Sequence, residues 1–117
     1  MPLILIKRDK SEVSDQLFSE ILKELPRIVA EELSISDPRG QLISADIKIW
    51  PFEKKLMDVG EKVLQVVIIA NDYPERLDLL KIKGEQIREA LSYLIPVSLF
   101  GKCFVWVLLA PGFFGEF

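Results

Sequence analysis

The chain begins with an apolar run, Leu3 to Ile6, that passes into the polar Lys7-Arg8-Asp9-Lys10, the pattern of a buried strand entering a loop. Ser11 then stands where a helix N-cap is expected, with Glu12 and Asp15 in the first turn, where acidic side chains suit the helix dipole. Apolar residues recur at Val13, Leu17, Phe18, Ile21, Leu22, Leu25, Ile28, Val29 and Leu33. Steps of three and four predict a helix with one buried face. Pro26 falls inside this pattern and predicts a kink or a break.

Asp37-Pro38-Arg39-Gly40 has the composition of a turn. From Ile43 to Trp50 the chain alternates, with Ile43, Ala45, Ile47 and Ile49 on one side and Ser44, Asp46, Lys48 and Trp50 on the other. That predicts a strand with one face in the core, ended by Pro51. Phe52 to Glu61 reads as a polar connection, and Val63 to Ala70 as a strand covered on both faces. Asn71-Asp72-Tyr73-Pro74 supplies the start of a second helix. Leu77, Leu80, Ile87, Leu91 and Leu94 carry its period, and Gly84 on the same stripe predicts close packing or a break. Pro96 closes that helix, Phe104 to Leu109 forms the last strand, and an aromatic tail follows. Its Phe113, Phe114 and Phe117 are expected to pack on a neighbouring subunit.

The element order is β-α-β, β-α-β with no linker between the halves. The expected class is therefore α+β, a single domain over residues 1–117. Two βαβ halves build a four-stranded mixed sheet with two helices on one face. The strands are apolar on both sides, so the helix-free face calls for an oligomer. A ferredoxin-like module shares this element order. Strand order separates the two: adjacent parallel halves in one, interleaved halves in the other.

Composition narrows the chemistry. The 117 residues include no histidine and one cysteine, Cys103, which reads as a small buried hydrophobe. Catalysis by Ser-His-Asp or Cys-His is excluded, as are imidazole metal sites and any internal disulfide. Proton chemistry is left to carboxylates, lysines, tyrosines or a terminal amine. The formal charge of −3 offers no field for nucleic acid, and no apolar run is long enough for a membrane span. In MPLILIKRDK the hydrophobic residues precede the charges, the reverse of a signal peptide, so a cytoplasmic location is expected. With no glycine-rich phosphate loop and no ligand cluster, no cofactor or metal is expected.

Met1-Pro2 leading directly into the first strand, together with the two βαβ halves and the chain length, resembles the tautomerase superfamily. The segment FVWVLLAPGFFGEF is similar to a branch of that superfamily with no substrate to carry over. The resemblance implies a homotrimer acting without a cofactor on a small enol or dienol carboxylate. It implies removal of Met1 and a free secondary amine on Pro2 that serves as general base. An α-amine starts near pKa 7.7–8.0, and desolvation or a nearby cation favours its neutral form.

The resemblance also implies cations for the substrate carboxylate. Lys10 matches the family arginine between the first strand and helix, and Arg39 falls near a family lysine. The second family arginine aligns with Asp46, a departure for which Lys48 could substitute. Phe104 and Trp106 match pocket positions on the last strand. Each has a plainer reading: solvated charges for Lys10, Arg39 and Lys48, core or interface aromatics for Phe104 and Trp106, and an Asp46–Lys48 ion pair. A tautomerase-type fold persisting as a non-catalytic oligomer is the alternative to an isomerase.

Overall fold

The computed structural model of the protein describes residues 2–55, 58–60, 62–111 and 117. Four strands, β1 (Leu3–Arg8), β2 (Lys48–Glu53), β3 (Leu64–Asn71) and β4 (Cys103–Ala110), form one sheet in the order β2-β1-β3-β4. β1 and β2 are parallel, β3 and β4 are parallel, and β1 and β3 are antiparallel at the centre. Each βαβ half thus keeps its own strand pair. This order removes the interleaved ferredoxin-like alternative.

The helices lie on one face. α1 (Asp15–Leu33) buries Ile21, Leu25, Val29 and Leu33 against Ile4, Ile6, Val66 and Ile68 of the sheet. Each fully buried aliphatic side chain contributes about 1.5–3 kcal/mol, so this layer dominates stability. The N-cap is Ser14, whose Oγ accepts from Leu17 N–H at 3.1 Å. Ser11 is used three residues earlier, donating its N–H and hydroxyl to Asp9 Oδ1 in an Asx turn. The helix runs through Pro26 unbroken, with its core face intact on both sides of the proline.

Three expectations about the other elements are corrected. Ser44–Asp46 is a 3-10 turn rather than strand, held by Asp46 Oδ2 accepting from Ile43 N–H at 2.8 Å. β2 starts at Lys48 and includes Pro51. Lys48 N–H donates to Pro2 O and Lys54 N–H to Arg8 O, so the even-numbered nitrogens face β1. Pro51 therefore turns its missing donor outward on an edge strand, where it costs no ladder bond.

The second helix is divided at Leu79 into α2 (Pro74–Asp78) and α3 (Leu80–Ser92). Gly84 neither breaks α3 nor permits a close approach, since a Cβ there would meet nothing within 4 Å. Gly40 does need its missing side chain: a Cβ would collide with Ile35. Gly40→Ala is expected to cost roughly 1–3 kcal/mol. Chemical denaturation would check this, and an unchanged midpoint would refute it.

The face away from the helices is open. Its residues align in three rows across β2, β1, β3 and β4: Lys48-Leu3-Ile69-Leu108, Trp50-Leu5-Val67-Trp106 and Phe52-Lys7-Gln65-Phe104. Trp50 and Trp106 are 55% and 58% exposed, an unusual state for a contiguous aromatic sheet face. Of the tail, Gly112 to Glu116 lie outside the described residues, so the packing expected of Phe113 and Phe114 falls there too.

Candidate functional site

Pro2 stands at the first step of β1, buried on the helix side like Ile4 and Ile6. Its carbonyl accepts from Lys48 N–H at 3.1 Å, which fixes it against the start of β2. On its other flank the β1–β3 register places it opposite Ala70, at the end of β3. Pro2 thus occupies the end of the sheet where β1 and β2 begin and β3 and β4 finish.

The other candidate residues divide between the two ends and the two faces. Lys48 adjoins Pro2 along the backbone, with its side chain exposed in the open-face row of Leu3. Arg39 lies in the 3-10 turn Pro38–Gly40, near the Pro2 end, and Tyr73 Oη donates to its carbonyl at 3.4 Å. Its guanidinium is committed to Asp37, at 2.8 and 3.2 Å. Lys10 is exposed in the turn after β1, about 20 Å from Pro2 along a six-residue strand. Phe104 lies toward that same far end, and Trp106 at mid-sheet, both on the open face. One chain therefore brings Lys48 to Pro2, leaves Arg39 nearby but paired, and holds Lys10 and Phe104 apart from them. Asp46 caps its own turn instead of pairing with Lys48.

Two buried arginines were not singled out from the sequence. Arg8 continues the core-facing alternation of Ile4 and Ile6 at the end of β1. It bonds Asp15 at 2.6 Å, Glu53 at 2.7 Å and the Val13 carbonyl at 3.2 Å, with Phe18 beneath it. Arg76 is 2% exposed toward the opposite end of the sheet, where β3 finishes. Its Nε donates to Leu33 O at 2.7 Å, Nη2 to Gly40 O at 3.0 Å and Nη1 to Asn71 O at 3.3 Å. Lys83 Nζ donates to Glu32 O and Ser34 O, so the second helical segment caps the carbonyl end of α1. The signal was present: Arg76, Leu80, Lys83, Ile87 and Leu91 follow steps of four and three along the true packing stripe.

Several carboxyls titrate below the usual range. Hydrogen bonding from Arg8 holds Asp15 down, Ser11 does so for Asp9, and Arg39 for Asp37. Carboxyls lowered in the folded state add stability above the unfolded value and lose it as pH falls through the folded one. Melting temperature is therefore expected to drop as pH falls below about 4. A flat profile from pH 6 to 3 would contradict the pairing.

Cys103 is half-buried, and its thiol donates to Leu99 O at 3.5 Å. Burial raises its pKa, which makes it a poor nucleophile. It borders a cavity of about 390 Å³ between α3 and β4, toward the end of the sheet far from Pro2. Among the described residues no group of three or more Cys, Asp or Glu side chains is placed to hold a metal ion. Among those residues no helix is long and apolar enough to cross a membrane.

This α+β fold, with paired parallel halves on a mixed sheet, is consistent with the tautomerase fold of similar solved structures. Among solved structures it is similar to a macrophage migration inhibitory factor-like protein from Entamoeba histolytica, with 13% identity, TM-score 0.60, and 95% and 90% of the two chains covered. It is also similar to FG41 malonate semialdehyde decarboxylase inhibited by 3-bromopropiolate, with 13% identity, TM-score 0.69, and 97% and 89% covered. A third similar structure is a fused 4-OT that forms a symmetric trimer, with 14% identity, TM-score 0.62, and 93% and 85% covered. By sequence the chain matches no family model and no curated protein.

Proposed function

We propose that this protein is a cofactor-independent, tautomerase-like isomerase acting on a small enol or dienol carboxylate. The carrying observation is the position of Pro2, directly before β1 in this fold and pinned by Lys48 N–H. Once Met1 is removed, the proline nitrogen is a secondary amine with an intrinsic pKa near the working pH. It takes the enol hydroxyl proton and returns a proton to carbon, so substrate and product are isomers. No redox step or bound group is required.

The carboxylate is held by cations. Lys48 is the one next to Pro2 in the same chain, with Arg39 as a second where substrate competes with Asp37. Lys10, at the far end of β1, reaches a Pro2 site only in another copy, as do Phe104 and Trp106 as pocket walls. The open aromatic face supports that assembly, and a homotrimer is the closed ring we propose. A cytoplasmic setting without nucleic acid or membrane partners completes the reading.

The test is ketonisation of enol phenylpyruvate followed by absorbance. Acceleration over buffer is expected, and a rate equal to buffer overturns the isomerase reading for this substrate class. The second reading, a non-catalytic oligomeric binding protein of the same fold, draws on the Arg39–Asp37 pair and the far placement of Lys10. It predicts a stable oligomer with no ketonisation of any enol or dienol acid.

A further inference from the structure

The cavity between α3 and β4 has no part in the chemistry assigned to Pro2. Native interiors hold few voids larger than a water molecule, so a space of about 390 Å³ calls for an occupant. Its walls are apolar, with Leu64, Val66 and Val105 of the sheet facing Leu91, Ile95 and Leu99. It lies well away from Pro2 of the same chain. Ala70, opposite Pro2, pairs with Leu109, and Cys103 at the cavity is six residues back, about 20 Å along β4.

The rim carries cations. Arg88 of α3 borders the cavity, and Lys62 Nζ donates at 2.8 Å to the carbonyl of Gly101, another rim residue. Arg88 is bonded to Glu85 at 2.8 and 3.1 Å, but both side chains are more than half exposed. Such a surface pair contributes little and exchanges readily for another carboxylate. Arg88 and Val105 also border a second hollow, of about 210 Å³, that continues along α3 past Gly84 to Leu80. The two hollows form one elongated apolar channel with a guanidinium at its waist. That shape and charge suit a chain-like apolar molecule with a single anionic group.

We propose that this channel binds a medium-chain alkyl carboxylate. The chain lies against Leu91, Leu99 and Val105 in the larger hollow, and the carboxylate takes the Arg88 guanidinium from Glu85. Burial of the chain supplies affinity, and the charge-assisted bond fixes its direction. The site goes beyond the isomerase reading and does not depend on it.

The test uses decanoate below its micelle concentration. Cys103 is the only cysteine of the chain and borders the cavity, so its reaction with a maleimide reports occupancy there. At about ten times its dissociation constant, decanoate is expected to slow that reaction about tenfold and to raise the melting temperature. Decanol, with the same chain and no charge, is expected to bind about tenfold more weakly. Arg88→Gln is expected to bring decanoate to the level of decanol and to leave decanol unchanged. Ile95→Trp, checked for folding by its helical spectrum, is expected to fill the cavity and abolish protection by both.

Decanoate that raises the melting temperature without protecting Cys103 binds elsewhere and overturns the proposal, as does an absence of binding. Arg88→Gln protein that keeps wild-type affinity for decanoate also overturns it. Where a variant fails to fold, wild type decides: stronger protection by decanoate than by decanol supports the site, and equal protection overturns it. Ketonisation is read separately. Competitive inhibition by decanoate with the constant found for Cys103 would put the ligand in the Pro2 site and overturn the proposal. Loss of the isomerase reading leaves the thiol measurements intact.

Discussion

Pro2→Ala is expected to lower kcat/KM for enol ketonisation about 10²-fold, with folding and assembly unchanged. General acid–base catalysis contributes about 10²–10⁴-fold, and alanine belongs at the low end of that range. It retains an α-amine of similar intrinsic basicity but loses the pyrrolidine ring, which fixes φ near −65° and with it the aim of the lone pair. The backbone carbonyl at residue 2 survives the change, so its bond from Lys48 N–H remains and β1 keeps its register against β2. Initial rates and a melting curve on the same sample separate the two effects. An unchanged rate with an unchanged melting curve would remove Pro2 from the chemistry.

Trp106→Glu is expected to dissociate the protein completely, from about 40 kDa for a trimer to the 13.4 kDa of one chain. Trp106 ends the row Trp50-Leu5-Val67-Trp106, and more than half of its surface is exposed in the single chain. Each large aromatic covered by a partner contributes on the order of several kcal/mol at an interface centre. A carboxylate in its place must be desolvated in every copy when the faces meet. Sedimentation equilibrium reads the outcome directly. The helix-side core does not involve residue 106, so the monomer is expected to keep its helical spectrum. A Trp106→Glu protein that retained the wild-type mass would show that the open face is not the interface.

Much of the fold was legible because burial on the helix side is strictly periodic. The alternation through β1 and β3 and the stripe Ile21-Leu25-Val29-Leu33 mark the core face of each element, while the strand order β2-β1-β3-β4 comes from the structure. What misled the reading was local competition for the same residue types. Ser11 satisfies an Asx turn, leaving the cap to Ser14. The alternation from Ile43 is interrupted because Asp46 closes a 3-10 turn on Ile43. Pro51 looked like a terminator, but only a strand's position in the sheet decides whether a missing N–H matters, and β2 is an edge.

The candidate site was less legible, for a physical reason. Pro2 and Lys48 meet because β1 and β2 are neighbours in a parallel pair, which the halves implied. Which charges are free is a matter of pairing that sequence does not display: among the described residues Arg39 is held by Asp37, Arg8 by two carboxylates, and Arg76 by backbone carbonyls. Arg76 was overlooked because Leu77 was taken as the start of the buried stripe. Leu77 is exposed, and the arginine beside it occupies the core position.

The central claim, that the terminal amine at Pro2 is tuned to act as a base, is tested most directly by its own titration in the wild-type protein after Met1 removal. A pKa clearly below the 7.7–8.0 of an ordinary α-amine is the predicted result. A value at or above that range, in a folded protein of verified mass, would contradict it.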